Sequence, residues 1–187
     1  MKKFEITSEH KINWCGRTLY RIKACVSFTT ISGDEIKVGD LGGWVEKESN
    51  LSHNGKAWIC GNAEIWGNAE IWGNAEICGD AKICGDAKIW GNAEICGDAK
   101  ICGNAEICGD AEIFSANHVL VIGSIGSRND FTTFYRDKDK EVTVKCGCFL
   151  GKIDEFLEKV SRTHGDTKHA LVYKAAVEVA KLQIDLE

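Results

Sequence analysis

From Gly55 to Phe114 the sequence is ten six-residue units without an insertion. Gly55-Lys-Ala-Trp-Ile-Cys60 opens the run, and from Gly61 every unit reads Gly-(Asn/Asp)-Ala-(Glu/Lys)-Ile-(Trp/Cys/Phe). A repeat this strict settles the architecture before any other property is read. Ala and Ile are two apart, so an extended chain sends both to one side and the intervening Glu or Lys to the other. Gly followed by Asn or Asp most readily accepts left-handed backbone angles, so each unit closes on a turn. A helix would need an apolar period near 3.6 and would lose ~1 kcal/mol at every glycine. The complete absence of proline suits a backbone whose N–H groups are claimed by ladder hydrogen bonds.

The pattern resembles the hexapeptide repeats of left-handed parallel β-helices, in which three units make one triangular coil. That resemblance implies the handedness and the three faces. Residues eighteen apart then stack at about 4.8 Å, and each buried Ile contributes on the order of 1.5–3 kcal/mol, provided the ends are capped. The residue after Ile sorts into three columns: Cys60, Cys78, Cys96 and Phe114; Trp66, Cys84 and Cys102; Trp72, Trp90 and Cys108. None is polar, so Trp66, Trp72, Trp90 and Phe114 are candidate interface residues. Three covers are open to them: the chain's own termini, copies of the same chain in a homo-oligomer, or a foreign host protein. The charged position gives Glu64, Lys82 and Lys100 on one face, Glu70, Lys88 and Glu106 on the second, and an all-acidic Glu76, Glu94 and Glu112 on the third. A solvated surface accounts for that acidic column.

The 187-residue chain is 44% hydrophobic, with a net charge of -5. No basic footprint for nucleic acid is present. The N-terminus lacks an apolar signal region, and no apolar run reaches membrane-spanning length. The reading is a cytoplasmic protein. Six of the ten cysteines fall at one repeat position and read as reduced thiols packing as small hydrophobes. Stacked thiols form a line rather than the tetrahedron zinc needs, so neither a metal nor a cofactor is expected.

Residues 1–50 carry short strand-like runs and read as a β cap, residues 51–114 as the β-helix, and residues 115–187 as an α+β module. In that module strands are expected at 119–122, 131–136 and 142–146, followed by helices over 153–163 and 168–186. Ala170, Leu171, Ala175, Val179 and Leu182 lie near one face of the second helix. Gly39-Asp-Leu-Gly-Gly-Trp-Val-Glu46 ahead of the repeats, Ile125-Gly-Ser-Arg-Asn-Asp-Phe-Thr-Thr-Phe134, Cys146-Gly-Cys-Phe149 and Asp154-Glu-Phe156 with His164-Gly165 resemble a family of repeat-bearing proteins of phages and prophages of gut and other Firmicutes bacteria. The resemblance implies a separable C-terminal domain but no known activity.

The densest polar segment, Gly123-Ser-Ile-Gly-Ser-Arg-Asn-Asp130, is the candidate ligand loop. Ser127 and Arg128 can hold a phosphate or carboxylate, Asn129 and Asp130 can bond a sugar or base edge, and Phe134 or Tyr135 can stack. The structural alternative is a tight turn in which Arg128 and Asp130 serve the fold. Cys146 and Cys148 are read as core or a weak metal pair. Hexapeptide β-helices are often acyltransferases that use a histidine beside a groove; here only His53 and His118 flank the array. The function expected is therefore a non-enzymatic binding protein: a solenoid scaffold with an anionic, nucleotide-like ligand, which in a phage setting would sequester a host defence signal. An assembly or host-protein-binding module and an acyltransferase are the alternatives.

Overall fold

The computed structural model describes residues 2–187. An N-terminal unit comprises β1 (Phe4–Ile12), β2 (Thr18–Ala24), β3 (Phe28–Thr29), β4 (Glu35–Ile36) and β5 (Leu41–Val45). Ten two-residue strands follow, one per repeat, from β6 (Trp58–Ile59) to β15 (Glu112–Ile113). An antiparallel sheet of β16 (Val119–Ile125), β17 (Asp130–Arg136), β18 (Val142–Cys146) and β19 (Phe149–Lys152) then packs against α1 (Ile153–His164) and α2 (Lys168–Gln183).

The repeats form a parallel solenoid with the eighteen-residue register that the resemblance to three-unit coils implies. Lys82 pairs with Glu64 and Lys100, Lys88 with Glu70 and Glu106, and Glu94 with Glu76 and Glu112. Three faces each carry four rungs, counting β5 on the first and the Leu51 bridge to Ile71 on the second. Every repeat Ala and Ile is at most 1% exposed, so the alternation predicted from spacing fills one continuous core. Repeat glycines hold φ between 61° and 79°. At mid-array they are needed twice over, because a methyl group on Gly79 would also lie 2.8 Å from the Gly97 nitrogen one coil on. Behind the glycines, corner asparagines bond along the stack: Asn74 donates to Asn92 at 3.0 Å and Asn92 to Asp110 at 3.0 Å.

Most ladder hydrogen bonds point one way, the parallel pairing returning one bond within each two-residue strand pair. An N–H donates to a carbonyl on the next coil, as Trp58 does to Ala75 at 2.9 Å and Glu94 to Ala111 at 2.8 Å. The first coil is left mainly with bare carbonyls and the last mainly with bare N–H groups, each costly to bury unpaired. The termini answer with opposite chemistry. At the start, the Lys3 ammonium donates to the Ala57 and Gly55 carbonyls at 2.7 and 3.4 Å, and the Asn50 amide to Ala69 and Gly67 at 2.8 and 3.2 Å. Burial brings Lys3 down to a pKa of about 8. At the end acceptors predominate, although the Arg136 guanidinium also donates to the Glu112 carbonyl at 3.3 Å. Thr133 Oγ1 takes the Glu106 N–H at 3.0 Å, the Tyr135 hydroxyl takes Cys108 N–H at 3.4 Å, and His118 Nδ1 takes Phe114 N–H at 3.2 Å.

The acidic column is not simply solvated. Glu76 is buried and accepts from the Ser32 hydroxyl at 2.6 Å, while Glu112 pairs with the buried Arg136 at 3.0 Å. Burial, then Glu112 and Glu76, raise the carboxyl pKa of Glu94 between them. The reduced-thiol reading is corrected at one column: the coil register brings the Cα atoms of Cys78 and Cys96 to 4.6 Å, and the pair is disulfide-bonded. The second helix also departs from expectation. It buries Ala170, Tyr173, Ala176, Val177 and Ala180, leaving Leu171, Val179 and Leu182 exposed, the last at 89%. Three alanines on the buried side let the helix lie close to its neighbours, which leucines would have prevented.

His118 makes the end cap pH-dependent. Burial, helped by the nearby Arg136 and opposed by Asp185, holds its imidazole below the usual 6.5. The unfolded chain therefore binds the proton first as pH falls, so this group's stabilisation is complete above about 6.5 and is lost below it. The thermal midpoint is expected to fall more steeply in wild type than in His118→Asn, which keeps an acceptor that does not titrate. Parallel midpoints between about pH 5 and pH 8 would remove His118 from the cap's titration.

Candidate functional site

Two turns of the C-terminal sheet meet the helices around a cavity of about 230 Å³. The β16–β17 turn supplies Ser127, Arg128 and Asp130, and the β18–β19 turn supplies Cys146, Gly147 and Cys148. The helices complete it with Lys159 and His164 from α1 and Tyr173 from α2. The geometry follows from local backbone requirements. Gly126 and Asn129 take φ of 72° and 51°, and the Ser124 hydroxyl fixes the turn by donating to the Asn129 carbonyl at 2.6 Å. A side chain at Gly126 would lie 1.9 Å from the Tyr173 hydroxyl, so the turn rests directly on that phenol. Gly147 has φ of 55°, and a methyl group there would sit 3.2 Å from Arg128 Nη1. The bare second turn thus leaves room for the guanidinium.

Electrostatically the cavity is lopsided. Neither Arg128 nor Lys159 has a carboxylate partner among the described residues, and Lys159 Nζ lies 5.5 Å over the Phe149 ring. The Asp130 carboxylate turns back to accept its neighbour Phe131 N–H at 2.8 Å. His164 stacks on Tyr173 with ring centroids 5.8 Å apart. Burial, then Cys146, push the Tyr173 phenol up to about 12, so it stays a neutral hydroxyl at physiological pH. Two free cations over aromatic walls suit an anion that carries a flat ring. Among the described residues no group of three or more His, Cys, Asp or Glu side chains is placed to hold a metal. Cys146 is half-buried and accepts from Thr132 Oγ1 at 3.3 Å, while Cys148 lies exposed beyond the Gly147 turn.

Of the ligand residues expected from sequence, Ser127, Arg128 and Asp130 line this cavity. Asn129 instead occupies the left-handed position of the turn. Phe134 and Tyr135 are corrected outright: both are 0% exposed. Strand alternation sends Phe134 into the C-terminal core against Phe156 and Tyr135 into the solenoid's end, where its hydroxyl also donates to the Cys108 carbonyl at 2.9 Å. Lys159, His164 and Tyr173 were missed. Their helical spacing placed them on helices, but nothing in it told which face would meet the turn.

Of the four aromatic column residues, one is buried within the chain. Trp66 is buried against Leu19 and Trp44, and Phe114 lies under the Arg136 guanidinium, 5.5 Å from its ring. Trp72 and Trp90 remain half-buried and stacked on each other at 5.0 Å. Both candidate acyl-transfer histidines are engaged at the ends. His53 accepts the Lys3 N–H at 3.3 Å and contacts Glu48 at 2.7 Å, and His118 holds Phe114 N–H. Compared with models of known protein families, the chain matches none, and no curated protein matches it significantly.

Gly126→Ala combines an unfavourable φ with a clash against Tyr173. A loss of roughly 2–4 kcal/mol is expected, read as a lower midpoint in helix-monitored circular dichroism. A variant as stable as wild type would mean that the turn does not rest on Tyr173.

Proposed function

We propose that the chain is a non-enzymatic binding protein in which the solenoid is a rigid scaffold and the C-terminal cavity holds an anionic, ring-bearing small molecule of the nucleotide class. The observation that carries this reading is the pairing of Arg128 and Lys159, both without carboxylate partners, around a cavity walled by Phe149 and Tyr173. Anion recognition by two cations is charge-assisted and directional at Arg128, and the aromatic walls add stacking. In the phage setting that the family resemblance implies, a signalling nucleotide of host defence is one ligand of this class. Titration calorimetry with mononucleotides, cyclic nucleotides and inorganic phosphate tests it. Binding by wild type, weakened tenfold or more (about 1.4 kcal/mol) in both Arg128→Ala and Lys159→Ala, supports the site. No heat with any of these anions, or variants that bind like wild type, overturns it.

A second reading, self-assembly, is favoured by the exposed stripe Leu171, Val179 and Leu182 on α2 rather than by the tryptophan columns. In an antiparallel pair of these helices, Leu171 of one copy meets Leu182 of the other. Lys174 then lies beside Glu178 across the pair, so the stripe and its charges are self-complementary. Sedimentation should show a dimer that Leu171→Ser with Leu182→Ser converts to monomer. A monomeric wild type at tens of micromolar or above, a range in which a weak pair would associate, discards this reading.

A further inference from the structure

On the first face the column after the isoleucines runs Trp66, Cys84, Cys102. Ile83 and Ile101 pair in register, and the sulfurs of the cysteines that follow them lie 2.8 Å apart. One corner away, the same eighteen-residue step has already closed Cys78 onto Cys96 with their Cα atoms 4.6 Å apart. That spacing is within the range in which a disulfide forms without backbone movement. The remaining repeat cysteines are differently placed. Cys60 turns its thiol to the Ile77 carbonyl at 3.6 Å, and Cys108 is buried against the Tyr135 hydroxyl at 3.8 Å. Cys102 is exposed and Cys84 half-buried, so reagents reach the pair from the Cys102 side.

The surroundings select the reagent. Two residues before each thiol, on the same outward side, stand Lys82 and Lys100, paired in register with each other. Neither has a carboxylate in ion-pair range among the described residues, Glu64 being taken by Lys11 at 2.8 Å. Adjacent cations attract anionic reagents.

We propose that Cys84 and Cys102 form a dithiol site that reacts with anionic low-molecular-weight disulfides of the glutathione class and closes a second staple between the coils already joined by Cys78–Cys96. Cys102 attacks first as thiolate: a bond forms from its sulfur to one sulfur of the reagent, the reagent's S–S bond breaks, and one thiolate leaves and takes up a proton. Cys84 then loses its proton and attacks the Cys102 sulfur, expelling the second thiolate. The two cysteines are oxidised and one reagent disulfide is reduced to two thiols. Cys84 is the resolving member, because burial and its contact with Cys102 push its thiol up to about 12, which disfavours it as the first attacker.

The full chain is incubated with oxidised glutathione, free thiols are alkylated, and tryptic peptides are mapped. Cleavage after Lys82, Lys88, Lys100 and Arg128 separates Cys84 from Cys102 and both from Cys78 and Cys96. A cross-linked pair of peptides 83–88 and 101–128, joined through Cys102, is expected, with glutathione trapped on Cys102 in Cys84→Ser. Lys82→Gln with Lys100→Gln, whose rate is read from the reagent thiol released because two tryptic sites are lost, should slow the reaction severalfold with oxidised glutathione but not with neutral hydroxyethyl disulfide. Cys102 that stays alkylatable, stays glutathionylated in wild type, or couples to Cys15 instead overturns the proposal. Equal slowing with both reagents overturns the lysines' part in it.

Discussion

Each coil hands most of its ladder N–H groups to the carbonyls of the next, and this net polarity is the constraint on which the rest of the molecule depends. A sheet closed on itself has no unlike ends, but a stack of coils does: mostly bare acceptors at one end and mostly bare donors at the other. The two flanking units differ because they solve opposite problems. The N-terminal unit brings donors, namely Lys3, Asn50 and the β5 backbone, whose Trp44 and Glu46 N–H groups meet the Ala63 and Ile65 carbonyls at 2.9 and 3.0 Å. The C-terminal unit brings acceptors on side chains that can present a lone pair without a proton, Thr133, Tyr135 and His118. Exchanging a lysine and a histidine between these positions would fail on charge alone, since an ammonium cannot accept.

β17 separates two cores. Thr133 and Tyr135 reach the last coil, while the intervening Phe134 enters the helix-backed core with Phe156. The same strand begins at Asp130, on the rim of the cavity. The candidate site and the solenoid's end therefore share one backbone segment, and whatever stiffens the turn at Ser127 and Arg128 acts at one end of the strand that closes the tube. The cavity owes its shape to glycines at 126 and 147, one fitted under a phenol and the other under a guanidinium.

The period made the Ala and Ile core legible, and the resemblance to three-unit coils supplied the register, since stacking eighteen apart is arithmetic once three units make a turn. What lay outside the array was less legible, and for a single reason: the partner of a side chain there is set by how distant segments dock. Tyr135 looked like a stacking aromatic because its neighbours were polar; the missing datum was an unsatisfied N–H at Cys108. Trp66 looked exposed until the hairpin that carries Leu19 and the strand that carries Trp44 were placed over it. In α2 the larger side chains suggested one face inward, yet close helix packing selected the alanines. Arg128 was legible as a polar residue on a glycine-rich turn, whereas Lys159 on its far wall had no signal to connect the two.

The unlike ends also bear on how such a tube stops growing. Its top and bottom are complementary in hydrogen bonding, and every coil repeats the same cross-section. Two uncapped copies would accordingly meet head to tail in a continuous ladder, and a third would add to them, a heterologous contact that never closes. The terminal units are therefore chain terminators as well as lids: by filling one end with an ammonium and an amide and the other with a hydroxyl, a phenol and an imidazole, they turn a template for an open-ended filament into a particle of fixed length.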